Sequence, residues 1–428
     1  MPFTALAQVG YEYLKNHQTG RHIPYAGSLS PRKVVVPTHY RPSTREMRGV
    51  WVATVRNIDF AEHTGAIEFK RDFIRLVNNL KAANFNTLIF QVRPCNDAFY
   101  YSKINPWSRF LTGKEGQGIA NFDPLSFMIA ETQKRGLEFH AWLNPYRVTG
   151  DTNLSKAAYL KTLSWKNFAR RHPELLLSAA NGKRNMFLLN PGEPAVIKFI
   201  TATVTEILDN YNVDAIHLDD YFYPYQDIGN ADAATFKRYR YRNDSIYSWR
   251  RNNVNQVIRN IHLAVQSHNR QKNRKVKFGI SPFGIWANKK DHPQGSLTKG
   301  LQSYSVQYAD TRKWIQQNWL DYIVPQIYWT FETDAAPYAA LVDWWASTVR
   351  GSKTQLYIGH AAYQPGKSER WNNPHELANQ LRYNTRHPEI RGTCFFSYRS
   401  IFAPDNKIQR QAMEKIILEY WKYPAKTP

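Results

Sequence analysis

The most constraining feature of this sequence is a regular alternation of short β-prone runs with longer helical stretches, which begins near residue 45. Amphipathic stretches separate the runs; Val196, Ile200, Val204 and Ile207, for example, fall on one helical face. Eight runs occur in one continuous chain, at residues 48–54, 86–92, 137–143, 214–219, 276–282, 321–329, 355–361 and 392–398. This pattern favours a parallel (β/α)8 TIM barrel over a doubly wound sheet.

The longest interval separates the third run from the fourth and covers about 70 residues. Within it, "NMFLLN" (185–190) could form a ninth strand. We interpret it instead as part of a long loop after the third strand. Long loops on the C-terminal face of such a barrel tend to be functional.

We expect two parts: a catalytic barrel at residues 45–428 and a polar N-terminal arm at residues 1–44. The tripeptide Ala5-Leu6-Ala7 has the small-x-small form of a signal-peptidase site, although no basic region precedes it. The arm is therefore either a signal-peptide remnant plus linker or a segment without targeting meaning. No segment reaches the roughly 18 apolar residues of a membrane span. The two cysteines, Cys95 and Cys394, exclude a disulfide framework, and we predict free thiols.

The chain is basic: 57 Lys and Arg face 34 Asp and Glu, giving a formal net charge of +23. Such a charge favours anionic partners, either nucleic acid or an acidic cell envelope. Because the basic residues are spread along the chain and no RNA-binding or helix-turn-helix signature accompanies them, we predict no nucleic-acid partner. An acidic cell wall or a negatively charged glycan fits the charge equally well.

Polar and aromatic residues follow nearly every predicted strand, where (β/α)8 enzymes place their reacting groups. Aromatic faces stack on sugar rings, and amides and carboxylates hydrogen-bond hydroxyl groups, so this mixture is typical of carbohydrate sites. The predicted substrate-binding residues are Arg93, Asn144, Tyr146, His217, Tyr221, Trp286, Gln326, Tyr328, Trp329, Glu332 and Tyr398.

The fourth run ends in two adjacent carboxylates, Asp219 and Asp220. Side chains alternate along a strand, so His217 and Asp219 should point into the barrel, while Asp220 begins the loop. Glycosidic hydrolysis needs a proton donor plus a nucleophile or base, although some enzymes use the N-acetyl group of the substrate instead. The doublet suits either scheme. Asp97 and Glu332 are the other candidate acids, and we predict Asp219, Asp220 and Asp97 as catalytic.

Other chemistries have weaker support. The sequence contains no HExxH, CxxC, P-loop or GxSxG motif, so we predict neither a metal nor another cofactor. One alternative is a metal-dependent deacetylase or hydrolase, with His217 and Asp219 joined by His140 or His360. A second alternative is a wall-binding barrel that has lost catalysis.

A set of ordered motifs resembles the bacterial glycosyl-hydrolase-like family 10. They are "EMRGVWVATV", "NTLIFQVRP" followed by Asp97, "HAWLNPYR", "LNPG", "HLDDYFYP", "SPFGIW", "YADTRKW" and "VPQIYW". The resemblance spans roughly residues 45–425 and implies a (β/α)8 barrel. The implied site comprises Asp219 and Asp220 with Arg93, Asp97, Asn144, Tyr146, Tyr328 and Trp329. Two local departures concern sugar specificity: "NIDFAEHTG", where relatives favour a Trp-Pro pair, and Cys95-Asn96, where small residues are expected.

The resemblance also implies an activity and a location. Members are cell-envelope proteins, secreted or lipid-anchored, and include glycosidases that act on peptidoglycan glycan strands stripped of stem peptides. We therefore predict a glycoside hydrolase that cleaves bonds between N-acetylated amino sugars, with such strands as the first choice of substrate. The expected location is extracellular or in the cell envelope, where the anionic envelope would be a further partner.

Overall fold

Eight parallel strands close into a barrel in the computed structural model, which describes residues 10–428. In chain order the strands are β1 (Tyr11–Tyr13), β2 (Tyr25–Ser28), β3 (Val35–Pro37), β4 (Met47–Val52), β5 (Thr87–Arg93), β6 (Glu138–Leu143), β7 (Arg147–Thr152), β8 (Leu176–Asn181), β9 (Arg184–Leu189), β10 (Ala215–Leu218), β11 (Lys277–Ile280), β12 (Tyr322–Ile323), β13 (Gln355–Ala361) and β14 (Ile390–Phe396). The barrel order is β4-β5-β6-β10-β11-β12-β13-β14, and β14 pairs with β4 to close it. The predicted (β/α)8 TIM barrel is confirmed.

Helices surround the barrel and bury one face against it. They are α1 (Ala66–Ala82), α2 (Arg109–Thr112), α3 (Pro124–Gln133), α4 (Lys156–Thr162), α5 (Phe168–Arg171), α6 (Pro194–Asn210), α7 (Ala233–Tyr239), α8 (Ile246–Lys272), α9 (Thr311–Gln316), α10 (Tyr338–Val349), α11 (Glu376–Asn384), α12 (Tyr398–Phe402) and α13 (Lys407–Lys415). The apolar stripe of α6 is buried as its spacing predicts. No helix of the described residues is both long enough and apolar enough to cross a membrane.

Each predicted strand run overlaps one barrel strand, with ends that differ by up to two residues in β4, β5 and β14. The sixth run is the least regular, because β12 has only two residues, Tyr322 and Ile323. Pro325 follows and lacks the N–H group that a strand ladder needs. The segment 185–190 is correctly predicted to lie outside the barrel, but it is not a loop: β9 is the middle strand of an antiparallel sheet with β7 and β8. We call this unit the inserted sheet.

The barrel interior is polar and aromatic. His217 points inward from β10, while Ile216 and Leu218 belong to the core beneath the helices, as strand alternation predicts. A hydrogen-bonded row runs along the interior: His140 joins Glu138 at 2.9 Å and the Tyr322 hydroxyl at 2.9 Å, and His217 joins that hydroxyl at 3.0 Å. A Cβ atom at Gly279 would lie 2.0 Å from the Tyr322 ring, so glycine is required there.

Part of the N-terminal segment, within residues 10–44, packs against the barrel helices. Strands β1 and β3 pair, and the side chains of Leu14, Ile23, Val34 and Val36 are buried in the same core as the barrel helices. The Tyr25 hydroxyl donates to the Asp343 carboxylate of α10 at 2.7 Å. Residues 1–9, including the tripeptide at 5–7, lie outside the described residues, and the division at residue 44 stays a prediction. Both cysteines are buried and free, as predicted.

Candidate active site

Asp219 lies at the barrel mouth, directly after β10. Its carboxylate accepts hydrogen bonds from Trp142 Nε1 at 3.0 Å, from Asn144 Nδ2 at 3.0 Å and from the Tyr221 backbone N–H at 3.2 Å. Trp142 and Asn144 share the inward face of the third barrel strand with His140, by the same alternation. Burial raises the pKa of Asp219, while the nearby Arg147 cation and these donors oppose the rise and favour its charged form.

Asp220 begins the loop that follows β10, and its surroundings differ. The Tyr225 hydroxyl donates to its carboxylate, and Gln307 Nε2 donates to its backbone oxygen at 2.7 Å. Burial raises the pKa of Asp220 to about 7, and the negative charge of Asp219 adds to the rise. Asp220 therefore keeps a proton that it can give away near neutral pH.

The two neighbouring acids thus have separate properties. Asp219 is surrounded by donors to a carboxylate, and Asp220 carries a pKa suited to a general acid. Adjacent carboxyl groups with different hydrogen-bond partners are typical of acid and base assignments in hydrolases.

A cleft of about 680 Å³ opens beside this doublet. Its walls come from the loop after β4, the inserted sheet and the loop after β10, and they include Arg56, Arg109, Arg147, Thr149, Asp151, Tyr159, Asn181, Met186, Tyr221, Tyr225 and Gln226. The Arg147 guanidinium lies 4.1 Å from the centre of the Tyr221 ring. Within residues 10–428, Arg56 pairs with Asp151 and Arg109 with Glu115, whereas Arg147 forms no ion pair.

Partly exposed aromatic rings flank the mouth on two sides. In the first row, ring centres are separated by 5.5 Å from Tyr221 to Tyr225, 5.7 Å from Tyr225 to Phe283 and 5.3 Å from Phe283 to Trp329. On the other side, Tyr328 lies 6.2 Å from Phe396. Exposed ring faces beside buried carboxyl groups suit a ligand with both apolar faces and hydroxyl groups, such as a sugar.

The structure brings half of the predicted residues to this mouth: Asn144, Asp219, Asp220, Tyr221, Gln326, Tyr328 and Trp329. Gln326 lowers the pKa of the nearby Asp220 and donates to the Ser281 backbone oxygen at 2.9 Å. His217 lies one layer below, within 3.3 Å of Trp51 Nε1 and 3.0 Å of Ser281 Oγ. Burial lowers the pKa of His217 well below its usual value, so its ring is neutral and supports the mouth from inside.

Three other predicted residues lie near the mouth, but their side chains make internal contacts that hold the surrounding loops and strand ends in place. Both Asp97 oxygens accept hydrogen bonds from the loop of Asp97 itself, from Cys95 N at 2.8 Å and Ser108 Oγ at 2.6 Å. Arg93 donates to the backbone oxygen of Asn144 at 2.5 Å and so fixes the end of the third barrel strand. Tyr146 is fully buried beneath the inserted sheet.

Three other predicted residues are not at the mouth. Trp286 packs on Trp344 of α10, with ring centres 5.7 Å apart. The Glu332 carboxylate accepts from Asn16 of the N-terminal segment at 2.8 Å, and the Tyr398 hydroxyl accepts from Asn79 of α1 at 2.9 Å. Their side chains contact other elements of the fold, so the structure does not bring these three residues to the mouth.

The alternative metal site is not assembled. His140 and His217 flank the Tyr322 hydroxyl, but His360 faces outward, where its Nδ1 lies 2.9 Å from Gln380 Oε1 of α11. Across residues 10–428, no group of three His, Cys, Asp or Glu side chains is arranged to hold a metal ion.

Three residues of the mouth were missing from the predicted set. Trp142 could have been found, because it shares the inward face of its strand with Asn144. Arg147 stands at the same strand end, but only its position over Tyr221 reveals its role. For Tyr225, the sequence carries no signal beyond its closeness to Asp220.

Comparisons with known proteins agree with this geometry. The chain is 40% identical over 395 residues to the glycosyl hydrolase YngK of Bacillus subtilis (strain 168), covering 90% of this chain and 74% of the relative. It is 36% identical over 419 residues to the glycosyl hydrolase DigH of Escherichia coli (strain K12), covering 93% and 91%.

Among solved structures, the PgaB (BpsB) glycoside hydrolase domain from Bordetella bronchiseptica matches with a TM-score of 0.50 at 11% identity. The match covers 82% of this chain and 94% of that chain, and it supports the fold alone. A family model described as glycosyl hydrolase-like 10 matches residues 46–376, which confirms the family predicted from the motifs. The chain belongs to the glycosyl hydrolase-like 10 family.

Proposed function

We propose that this protein hydrolyses glycosidic bonds between N-acetylated amino sugars, in peptidoglycan glycan strands that lack stem peptides. The observation that carries the proposal is the difference between Asp219 and Asp220, two adjacent buried acids at the mouth of one barrel: three donors hold the Asp219 carboxylate, while burial and the Asp219 charge raise the pKa of Asp220 to about 7. Family membership supports glycoside hydrolysis as the reaction class.

Asp220 acts as the general acid. Its proton passes to the glycosidic oxygen as the bond from that oxygen to the anomeric carbon breaks, and the leaving sugar departs as an alcohol. Asp220 is then a carboxylate, and it takes a proton from the water that attacks the anomeric carbon in the second step. A pKa of about 7 suits both steps near neutral pH.

The nucleophile in this proposal is the acetamido oxygen of the substrate itself. It attacks the anomeric carbon, and Asp219 accepts a hydrogen bond from the acetamido N–H and stabilises the positive charge that develops there. In the described chain the other candidate acids are engaged elsewhere: Asp97 in its own loop, Glu332 with Asn16, and the cleft-lining Asp151 with Arg56.

The residues that line the cleft and its mouth support this substrate class. Two aromatic rows offer stacking surfaces for sugar rings, and the unpaired Arg147 suits a sugar that carries a carboxylate, as muramic acid does. The net charge of +23 favours an anionic cell envelope as the surrounding partner.

We further propose an extracellular or cell-envelope location, because this substrate lies outside the cytoplasm. Fractionation of cells that produce the full-length gene product, followed by immunoblotting, tests this. Recovery in the cytoplasmic fraction alone would contradict it.

The activity test uses glycan strands freed of peptides by an amidase, with mass spectrometry of the products. The parent protein should release shorter oligosaccharides, and Asp219→Asn and Asp220→Asn should each reduce the rate by about 10³-fold. Asp209→Asn, on the outer helix α6, serves as the matched control and should cleave normally. Strands stripped of their N-acetyl groups should resist cleavage, because they lack the internal nucleophile.

Two results would overturn the proposal. If no shorter products appear while the parent and both variants still capture the glycan, the protein is a non-catalytic glycan-binding barrel. If activity disappears with a chelator and returns with added metal, the reaction is metal-dependent.

A further inference from the structure

A second cavity adjoins the cleft. It has a volume of about 410 Å³ and lies between the loop after β10, the first turn of α8 and the loop after β11. Tyr225 and Gln226 line both cavities. Tyr225, which borders both spaces, also hydrogen-bonds Asp220. We call the second space the distal cavity.

The wall of the distal cavity is aromatic and firmly held. The rings of Tyr247 and Tyr308 stack with centres 6.4 Å apart, and Tyr247 is 58% exposed. Behind them, Arg250 donates to Asp232 at 2.6 Å and to the Tyr308 hydroxyl at 2.7 Å. The Arg250 charge is thus neutralised within the wall, and Tyr247 is left as an open stacking surface.

A cationic segment, residues 237–242, precedes this wall in the chain. It reads "KRYRYR", and all six side chains are exposed. Lys237 and Arg238 lie in the last turn of α7, where positive side chains interact favourably with the helix dipole. Arg240 and Arg242 lie beyond the helix. None of the four cations has an ion-pair partner within the described part of the chain.

The four like charges within these six residues repel one another in the free protein, which raises its electrostatic free energy. An anionic polymer would relieve that repulsion, and the interleaved Tyr239 and Tyr241 would add stacking surfaces. Tyr241 is 80% exposed, so its ring is accessible to a ligand.

We propose that the distal cavity and the cationic segment extend the substrate site and bind further sugars of a carboxylate-bearing glycan. This rests on the proposed function, since the same polymer would occupy the cleft. Sugar rings stack on Tyr247, and the carboxylates of successive acidic sugars pair with Arg240 and Arg242. Tyr225 lines both the distal cavity and the cleft, and it contacts the proposed acid Asp220. This shared residue favours the glycan substrate over a nucleic acid as the ligand.

The binding test uses the Asp220→Asn protein, so that turnover does not interfere. Fluorescence anisotropy measures its affinity for end-labelled, peptide-free glycan strands. The variant R238Q/R240Q/R242Q in this background should bind about tenfold more weakly, because exposed charge pairs each contribute modestly. The matched control R270Q/K272Q/K275Q removes three exposed cations at the opposite end of the barrel and should bind like the parent.

Two further comparisons define the ligand. Strands whose carboxyl groups have been reduced to alcohols should bind the parent weakly and show no difference between parent and triple variant. Tyr247→Ala should weaken the binding of both kinds of strand. If the triple variant binds as tightly as the control, the proposal is wrong. If single-stranded DNA of matched length displaces the glycan at lower concentration than unlabelled glycan does, the segment is a nucleic-acid surface and the proposal is again wrong.

Cleavage provides an independent measurement. With the Asp220 side chain intact, the ratio of kcat/KM for long strands to that for short oligomers should fall about tenfold in R238Q/R240Q/R242Q. An unchanged ratio would contradict the extended site. Absence of any turnover in the parent would refute the proposed function while leaving the binding test of this site valid.

Discussion

Two loops at the barrel mouth carry acids that look equivalent in the sequence. The loop after β5 contains Asp97, and the loop after β10 begins with Asp219 and Asp220. Burial raises the pKa of all three carboxyl groups. The source of their hydrogen-bond donors differs. Asp97 is held by Cys95 and Ser108 from its own loop, whereas Asp219 is held by two side chains of another barrel strand.

The contrast separates an acid held within its own loop from an acid buried beside a second carboxylate, at the same kind of strand end. The Asp97 carboxylate folds a loop and has no acidic neighbour in the chain next to it. Asp220 is buried beside a second carboxylate, an arrangement that opposes folding because each charge destabilises the other. Such a local conflict in an otherwise consistent fold indicates a functional site.

The largest expected effect is on catalysis. Asp220→Asn should lower kcat by about 10³-fold, since it removes the proton donor. Its thermal midpoint should not fall, because the substitution also removes a buried like-charge pair. Steady-state rates on peptide-free glycan strands and a thermal melt measure the two quantities. A loss of activity that merely follows a loss of folded protein would place Asp220 with Asp97 as a structural acid.

Asp97→Ala should show the opposite behaviour. The Cys95 N–H and the Ser108 hydroxyl would each lose a buried acceptor, which should lower the free energy of unfolding by about 3 kcal/mol. Rates measured per folded molecule should stay within about threefold of the parent. Urea unfolding and active-site titration at low temperature provide the two measurements. A rate lower by about 100-fold or more with unchanged stability would restore Asp97 as catalytic.

Much of the fold could be predicted because its signals are local. Each barrel strand overlaps a predicted run, and alternation alone placed His217 and Asp219 inside the barrel. The burial of the N-terminal segment depends on contacts with helices more than 300 residues away, such as the bond from Tyr25 to Asp343. No local pattern encodes such contacts.

The site was predicted less completely for a related reason. Residues within a strand have a fixed period, so Asn144 and Asp219 could be placed. Residues in the following loops have none. Glu332 and Tyr398 follow barrel strands as Asp220 does, yet their side chains turn outward to Asn16 and Asn79. Only tertiary geometry separates these cases.

The pH dependence of the rate should respond to the arginine beside Asp220 and not to the arginine beside Asp97. Asp220 must be protonated to act, so the rate should fall as pH rises through about 7. The Arg147 cation lowers the pKa of Asp220; Arg147→Gln removes that charge, raises the pKa and should move the basic limb upward by roughly half a unit. Arg109 lowers the pKa of Asp97 instead, so Arg109→Gln is the matched control and should leave the limb in place. Profiles of kcat/KM against pH, which report the free enzyme, measure the shift for the three proteins; a downward move with Arg147→Gln would contradict the assignment.

The smallest expected effects come from the two hydroxyl groups that donate to these acids. Ser108 Oγ donates to Asp97 and the Tyr225 hydroxyl to Asp220, so Ser108→Ala and Tyr225→Phe remove comparable bonds from the two loops. Ser108→Ala should lower the free energy of unfolding by about 1 kcal/mol and leave kcat unchanged. Tyr225→Phe should change kcat by about threefold with little effect on stability, because the ring still packs against Tyr221 and Phe283. Denaturant unfolding and initial rates of the two variants measure these effects. Equal effects on stability with no effect on kcat would mean that both loops are structural, because the rate of a reactive acid must respond to the loss of its own hydrogen-bond donor.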